Sequence, residues 1–309
     1  MQQDINKRLI WLGGKLLPVT EAKINVLSPT AQFGANVFEG IRAYWNEIEK
    51  QLYVFRLDDH YKRLQNSIKI FRMNSKYTNE DFKKGLVDVI KANNYKEDIA
   101  IRQTVFVDGL GGTWSSREPI NMFIAPIQKE RTLLKDKKGL KCCISSWERI
   151  SDKNLSPRAK VGANYINSRM AQLEAVENGY DTTILMNSNG KISEGPGSCL
   201  FIVRDGVLIT PPSTASVLES ITRDTIIKIA NEVLNIPMIE RDVDRTELYI
   251  CDEAFLCGSA MEITHINNID GYIIGNGKYG KITADLFNEY FSIVNGSNKT
   301  YKNWLTPIY

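Results

Sequence analysis

Thr182-Thr-Ile-Leu-Met-Asn-Ser-Asn-Gly-Lys-Ile-Ser-Glu-Gly-Pro-Gly-Ser-Cys-Leu-Phe-Ile-Val-Arg-Asp-Gly-Val-Leu-Ile-Thr210 carries a succession of short β-like runs separated by turn residues. Thr182–Met186, Lys191–Ser193, Cys199–Arg204 and Val207–Thr210 have the apolar and β-branched content of strands. Asn187-Ser-Asn-Gly190 and Asp205-Gly206 have the side chains that tight turns require. Such a meander predicts a curved or barrel-like sheet. Outward from it, Leu140–Trp147 reads as a strand and Tyr165–Glu177 as a helix with Ile166, Met170, Leu173 and Val176 in phase. Leu218–Leu234 reads as a second helix and Ala254–Cys257 as another strand.

The first part of the chain alternates strand-like and helix-like runs. Lys50–Arg56 is a strand by its aromatic and β-branched content, and Leu57–Phe71 places Tyr61, Leu64, Ile68 and Phe71 on one helical face. Glu80–Asn93 is a further helix, and Ile99–Val107 and Ile120–Ile127 are strands around a glycine-rich turn. The fold class is therefore α/β, in an α+β arrangement. From Gln128 to Gly139 the chain is highly charged and loses apolar periodicity, which marks a linker. The reading divides the chain into a domain at 1–127, a linker at 128–139 and a domain at 140–309.

Composition bounds the partners. The 309 residues are 43% hydrophobic and 24% charged, as in a globular protein with a substantial core. The net charge of +3 is spread with its signs interleaved, so no nucleic-acid or other polyanionic partner is indicated. No apolar run suits a signal sequence or a membrane span, and a cytoplasmic location with no membrane partner is the expectation. The 5 cysteines show no Cys-x-x-Cys spacing and read as small buried hydrophobes. With only two histidines, His60 and His265, neither a histidine-based triad nor a metal site is expected.

Three segments could carry chemistry. Lys160 lies in Arg158-Ala-Lys160-Val-Gly-Ala-Asn-Tyr165, where small neighbours leave room for a bulky adduct and an apolar setting could activate an amine. A solvated loop lysine is the plainer reading of those local features. Glu194, in Ile192-Ser-Glu194-Gly-Pro-Gly197, is a carboxylate fixed between strand-like residues and a turn, able to pair with a pyridinium N–H or merely to flank the turn. Ser220 and Thr222 open an amphipathic helix whose free amides and dipole suit a phosphate, or the serine is a plain N-cap. Gly258-Ser259-Ala-Met-Glu-Ile-Thr264 could add further phosphate-directed donors, and Arg56 is a guanidinium candidate or a surface charge. Asp108-Gly-Leu-Gly-Gly-Thr113 fits neither a P-loop nor a dinucleotide fingerprint.

The order and spacing of these segments resemble the class IV, fold type IV, pyridoxal-phosphate-dependent aminotransferases, above all the branched-chain amino acid aminotransferases. Phe33-Gly-Ala-Asn-Val-Phe38-Glu-Gly40-Ile-Arg42, Val54-Phe-Arg56, Ile101-Arg102, Ile221-Thr222-Arg-Asp224 and the segments around Lys160, Glu194 and Ser259 together span essentially the whole chain. The resemblance implies a small N-terminal α/β domain, a larger C-terminal pseudo-barrel domain and pyridoxal 5′-phosphate between them. It implies that Lys160 carries the cofactor as a Schiff base and moves the substrate proton, that Tyr165 bonds its phenolic oxygen, and that Glu194 pairs with its ring nitrogen. Arg56, Ile221, Thr222 and Ser259 would hold the phosphate, and Gly197 and Leu218 would line the cofactor. The substrate pocket would draw on Phe33, Phe38, Gly40, Arg42, Ala100, Arg102, Ser259 and Ala260.

The implied reaction passes the amino group of leucine, isoleucine or valine to 2-oxoglutarate by a ping-pong mechanism, in a homodimer or larger homo-oligomer. Four positions depart from the family pattern. Ala100 stands where a tyrosine is usual, Phe33 where tyrosine is common, Ser220 for a usual glycine and Cys199 for a frequent asparagine. Losing hydroxyls from a carboxylate pocket changes discrimination by a few kcal/mol. An amine or D-amino acid transaminase, or an aminodeoxychorismate-lyase-like enzyme of the same fold, therefore remains an alternative.

Overall fold

The computed structural model describes residues 5–133 and 138–309; the middle of the expected linker, residues 134–137, lies outside them. The chain divides into two compact units. The first comprises Met1–Arg131, Ala159–Ala163 and Ile293–Tyr309, and the second Thr132–Arg158 and Asn164–Ser292. The contiguous division read from the sequence differs from this grouping at the short visit around Lys160 and at the C-terminus. Strand pairing explains both differences, since each segment hydrogen-bonds to the first unit's sheet.

The first unit contains β1 (Leu9–Leu12), β2 (Lys15–Pro18), α1 (Pro29–Phe33), β3 (Asn36–Asn46), β4 (Gln51–Phe55), α2 (Leu57–Ile70), α3 (Asn79–Asn93), β5 (Ile99–Val107) and β6 (Ile120–Gln128). The C-terminal β15 (Leu305–Pro307) completes an antiparallel sheet of order β15-β4-β3-β5-β6-β1-β2. β4 is shorter than the expected Lys50–Arg56 because Lys50 (φ 50°) and Arg56 (φ 49°) are both left-handed and end the strand. α3 begins at a capping box formed by Thr78 and Asp81, which satisfies two otherwise orphaned amides.

Alternation gives the sheet two distinct faces. Val37, Ile41 and Ala43 of β3 join Ile99, Ile101, Val105 and Val107 of β5 in one core with Tyr61, Leu64 and Ile68 of α2 and Phe82, Leu86 and Val89 of α3. Glu39 lies on that same apolar face, wholly buried. Its carboxylate accepts from Arg63 Nε (2.7 Å) and Nη2 (2.6 Å) and from His60 Nδ1 (2.7 Å), so α2 is clamped to β3. Burial pushes His60 below its usual range despite Glu39, which makes it a neutral donor and leaves Arg63 as the counter-ion.

The second unit contains β7 (Leu140–Glu148), α4 (Tyr165–Glu177), β8 (Thr182–Met186), β9 (Cys199–Arg204), β10 (Val207–Thr210), α5 (Ile221–Lys228), β11 (Met238–Glu240), β12 (Glu253–Gly258), β13 (Glu262–Ile269) and β14 (Tyr272–Ile273). α6 (Lys281–Val294) follows, its last two residues falling in the first unit. The sheet runs β11-β10-β9-β12-β13-β7-β8, with β14 beside β13. Asp205 (φ 51°) and Gly206 (φ 76°) form the expected tight turn between β9 and β10. Lys191–Ser193 is not a regular strand: Ile192 makes one bridge to Met186 and donates its amide to Val243 O (2.9 Å). That segment links β8 to the chain just past β11, and Ile184, Ile192, Leu200, Ile209, Val243, Leu256 and Ile266 share one interior. The expected pseudo-barrel is thus a sheet curled around a common core.

Two helices differ from their expected form. The helix read at Leu218–Leu234 begins at Ile221, because Ser220 is extended (φ −79°, ψ 128°) and caps Arg223 N; after Lys228 it widens to a π-type turn at Ile229–Val233. In α4 the in-phase residues Ile166, Met170, Leu173 and Val176 are exposed, and Ser168, Ala171 and Ala175 are buried. Small side chains let the helix approach β7 and β8 closely, so shape overrides the apolar periodicity there.

The buried clamp carries a pH signature. Burial alone would raise Glu39, but Arg63 and then His60 pull it lower, from 4.5 to about 2. Its folded value lies below its unfolded value, so its stabilisation is complete above about pH 4.5 and is lost as the pH falls toward 2. Glu39→Gln should lower the unfolding free energy by roughly 3–5 kcal/mol at neutral pH. It should also flatten the acid limb of stability. Urea melts of both proteins across that range check this, and parallel limbs would remove Glu39 as its source.

Candidate active site

The first unit presents Lys160 through a short strand-like segment. Phe38 N donates to Lys160 O (3.0 Å), Gly162 N to Asn36 O (3.0 Å), and Val37 bridges Val161. Ala159 and Val161 point into the core, so alternation turns the Lys160 side chain to the opposite face, where it is half-buried. The Lys160 amide donates to Ser67 Oγ of α2 (3.0 Å). A Cβ at Gly162 would lie 2.3 Å from Asn36 Oδ1, so only glycine lets the segment approach β3 this closely.

Phe38, Gly40 and Arg42 occupy alternate positions on the face of β3 opposite the core, beside Ala100 and Arg102 of β5. Gly40 is registered with Arg102 and Arg42 with Ala100. A side chain at Gly40 would meet open space, and the Arg102 guanidinium sits 3.9 Å from the Phe38 ring centroid. Lys160 Nζ lies 5.0 Å from the same centroid. One aromatic ring is thus shared by an amine and an exposed guanidinium.

The other candidates of this unit stand apart from that ring. Arg42 is buried, with Nη1 donating to Lys129 O (2.7 Å) and Nη2 to Glu130 O (3.3 Å), which ties β3 to the chain after β6. Arg56 precedes α2, donates to Asp59 (2.7 Å) and lies over Trp304 at 4.8 Å. It is separated from Ser67 by about 16 Å of helix axis. Phe33 ends α1 with its side chain largely exposed.

The second unit assembles its candidates around Glu194, which is 4% exposed. Arg149 Nε (2.9 Å) and Nη2 (2.7 Å) donate to Oε1; Leu218 N (3.2 Å) and Cys199 Sγ (3.6 Å) donate to Oε2. Gly195 N donates to Ser198 O (2.8 Å), closing the turn that leads into β9. A side chain at Gly197 would first meet the Tyr165 ring, at 3.9 Å, so the space over this turn is open. Tyr165 begins α4, behind Asn164, whose Nδ2 donates to Ser156 O (3.0 Å).

The amides of Ile221 and Thr222 open α5, while Ser220 Oγ takes that of Arg223 (3.3 Å). A helix start of this kind directs its first amides and its dipole toward a phosphate-sized anion. Gly258 lies against the Gly195–Ser198 turn, since its Cβ would be 3.4 Å from Gly197 O, and this brings the Ser259-Ala260 turn to the same region. Glu194, Gly197, Leu218, Ile221, Thr222 and Ser259 are therefore held together within this unit, with Tyr165 beside Gly197.

Three contacts were not legible in the sequence. Arg149 has no signal of its own, since its pairing with Glu194 spans 45 residues. Ser67 and the Glu39–His60–Arg63 clamp lie on helical and strand faces whose pairing only the fold decides. A signal for the clamp does exist: a charged residue on the apolar period of β3 calls for a buried partner.

Residues 36–269 match the family model described as amino-transferase class IV. The chain is 38% identical over 309 residues to a probable branched-chain-amino-acid aminotransferase of Aquifex aeolicus, covering 100% of this chain and 99% of the relative. A branched-chain aminotransferase of Thermoproteus uzoniensis, solved with norvaline, superposes with a TM-score of 0.92 at 42% identity, covering 98% of this chain and 99% of that one. A branched-chain amino acid aminotransferase of Thermobaculum terrenum in its PLP form gives 0.92 at 41%, covering 99% and 100%.

The thiols are all buried. Burial first, then Glu194, pushes Cys199 up to about 12, and burial raises Cys251 to about 12 and the other three thiols as well. Because the thiolate is the reactive form, a thiol-specific disulfide reagent at pH 8 should label none of the 5 cysteines in the folded protein and all of them in urea. Prompt labelling of Cys199 in the native state would contradict its placement against Glu194.

Proposed function

We infer the activity from one premise: this chain belongs to the class IV aminotransferases and is a transaminase. We propose that it is a pyridoxal 5′-phosphate-dependent branched-chain amino acid aminotransferase, passing the amino group of leucine, isoleucine or valine to 2-oxoglutarate. The observation that carries this reading is the Phe38 ring shared by Lys160 Nζ and the Arg102 guanidinium. An α-amino acid needs a base at its Cα and a cation at its carboxylate, and this face offers both.

The residues present fit the cofactor. A buried carboxylate with its charge compensated, an open glycine turn beside a tyrosine, and a capped helix start match a ring nitrogen, a flat ring and a phosphate respectively. When bound, pyridoxal phosphate supplies an electron sink for the pair released as the Cα–H bond breaks. The remaining work falls to the chain. The primary amine of Lys160 would bear the group, and as a free amine it would take the Cα proton. Glu194 accepts from the ring N–H, Tyr165 bonds the phenolic oxygen, and Arg56, Ile221, Thr222 and Ser259 hold the phosphate, with Gly197 and Leu218 lining the site.

Arg102 pairs with the substrate carboxylate. Phe38 and Gly40 shape the face beneath it, and Phe33, Ala100, Ser259 and Ala260 bound the pocket. Arg42 acts through its hold on β3. The amino group remains on the enzyme between two half-reactions, so the kinetics are ping-pong. The enzyme works as a homodimer or larger homo-oligomer in the cytoplasm; among the described residues no helix is long and apolar enough to cross a membrane.

One observation favours a second reading. Ala100 lies across from Arg42 and two residues from Arg102 on the same face, where it offers no hydroxyl to a carboxylate. A donor with a differently placed carboxylate, such as a D-amino acid, or with none, such as a primary amine, would lose less there.

Purified protein should be yellow and should bleach with borohydride, whereas Lys160→Ala should do neither. A yellow, active Lys160→Ala protein would exclude Lys160 from the chemistry. Arg102→Leu should raise KM for leucine roughly tenfold to a hundredfold and leave KM for a primary amine unchanged. A panel of L-amino acids, D-amino acids and amines, with and without 2-oxoglutarate, separates the readings: turnover without an oxo acid would indicate a lyase. No activity with leucine, isoleucine or valine would reject the branched-chain assignment.

A further inference from the structure

The end of β7 delivers Arg149 to Glu194 by an irregularity. The β7–β8 pairing shifts register between Ile144 and Glu148, and Arg149 N then donates to Met186 O (2.8 Å). Such a shift re-aims the side chains beyond it. The re-aimed guanidinium places Nε and Nη2 on a single oxygen of Glu194, with Arg149 8% and Glu194 4% exposed. Arg149 Nη1 is buried and has no hydrogen-bond partner among the described residues.

A buried ion pair is a weak device for stability, since apolar side chains of equal volume generally do as well. A guanidinium that also leaves one buried nitrogen unbonded is a still weaker one. Its use here therefore calls for a role for the charge itself. We propose that Arg149 is a positioning residue for Glu194, fixing the carboxylate and holding the proton they share on the cofactor's ring nitrogen. This rests on reading Glu194 as the partner of that nitrogen.

The direction follows from proximity. Arg149 touches the carboxylate directly, so its positive charge repels a proton on the carboxylate at shorter range than one on a base bonded from outside. A proton between the two then stays on nitrogen, where it strengthens the electron sink. The other donors to Glu194 are the neutral Leu218 amide and the Cys199 thiol, neither of which brings a formal charge.

The test uses holoenzyme loaded with ring-15N pyridoxal phosphate, reading the nitrogen's chemical shift and, separately, retention of the cofactor on dilution. Glu194→Gln should move the signal to the unprotonated region; if it does not, the reading of Glu194 fails and the inference fails with it. Given that shift, Arg149→Gln should move the signal the same way and weaken retention about tenfold or more. Arg149→Lys, which keeps the charge, should stay near wild type. The double variant should lose no more retention than Glu194→Gln alone.

A wild-type signal in Arg149→Gln, or losses that add in the double variant, overturns the proposal and leaves the role of Glu194 standing. Should Arg149→Gln not fold by circular dichroism, Arg149→His takes its place. Its ring signal should change as the pH rises through the histidine's titration while wild type stays constant, and an invariant signal overturns the proposal.

Discussion

The peptide of Lys160 is gripped from two sides, and the chemistry offered by the first unit depends on that grip. β3 donates to its carbonyl through Phe38, and α2 accepts from its amide through Ser67. These two elements are themselves clamped at the neighbouring positions, Glu39 on β3 and His60 and Arg63 on α2. His60, Arg63 and Ser67 lie three and four residues apart, so one helical stripe makes every contact. An otherwise flexible lysine thus starts from a backbone fixed by hydrogen bonds on both sides.

In the second unit a single carboxylate plays the corresponding part. Glu194 gathers the end of β7 through Arg149, the start of β9 through Cys199, and the approach to α5 through Leu218. The groups suited to a ring nitrogen and to a phosphate are therefore built on one hydrogen-bonded node. Moving the carboxylate would move the approach to the helix start with it. That coupling makes Arg149, which holds one oxygen by two donors, more consequential than its distance in sequence suggests.

The face around Phe38 holds two arginines in different settings. Arg102, paired with Gly40, reaches the Phe38 ring, while Arg42, two residues on from Gly40, is buried and bonded to carbonyls. Two arginines of the same sheet face thus differ, Arg102 exposed and Arg42 holding β3 in place. Neither spacing nor composition distinguishes them.

The sequence by itself determined the regular elements whose signals are local. β5, α4, β8, β9 and β10 stand at their expected bounds, because turn residues and β-branched runs act over a few positions. It also determined the order of the chemical motifs, which suffices to place the chain in its family. Only the tertiary structure decided what joins them. β3, β13 and β15 drew no assignment from the pattern, since burial on both faces or pairing with distant strands erases simple alternation. The exposed apolar stripe of α4, the clamp on Glu39, the guanidinium on Glu194 and the return of the last residues to the first unit's sheet all depend on contacts between residues far apart in sequence. Local propensity does not reach that far; packing and the need to neutralise buried charge do.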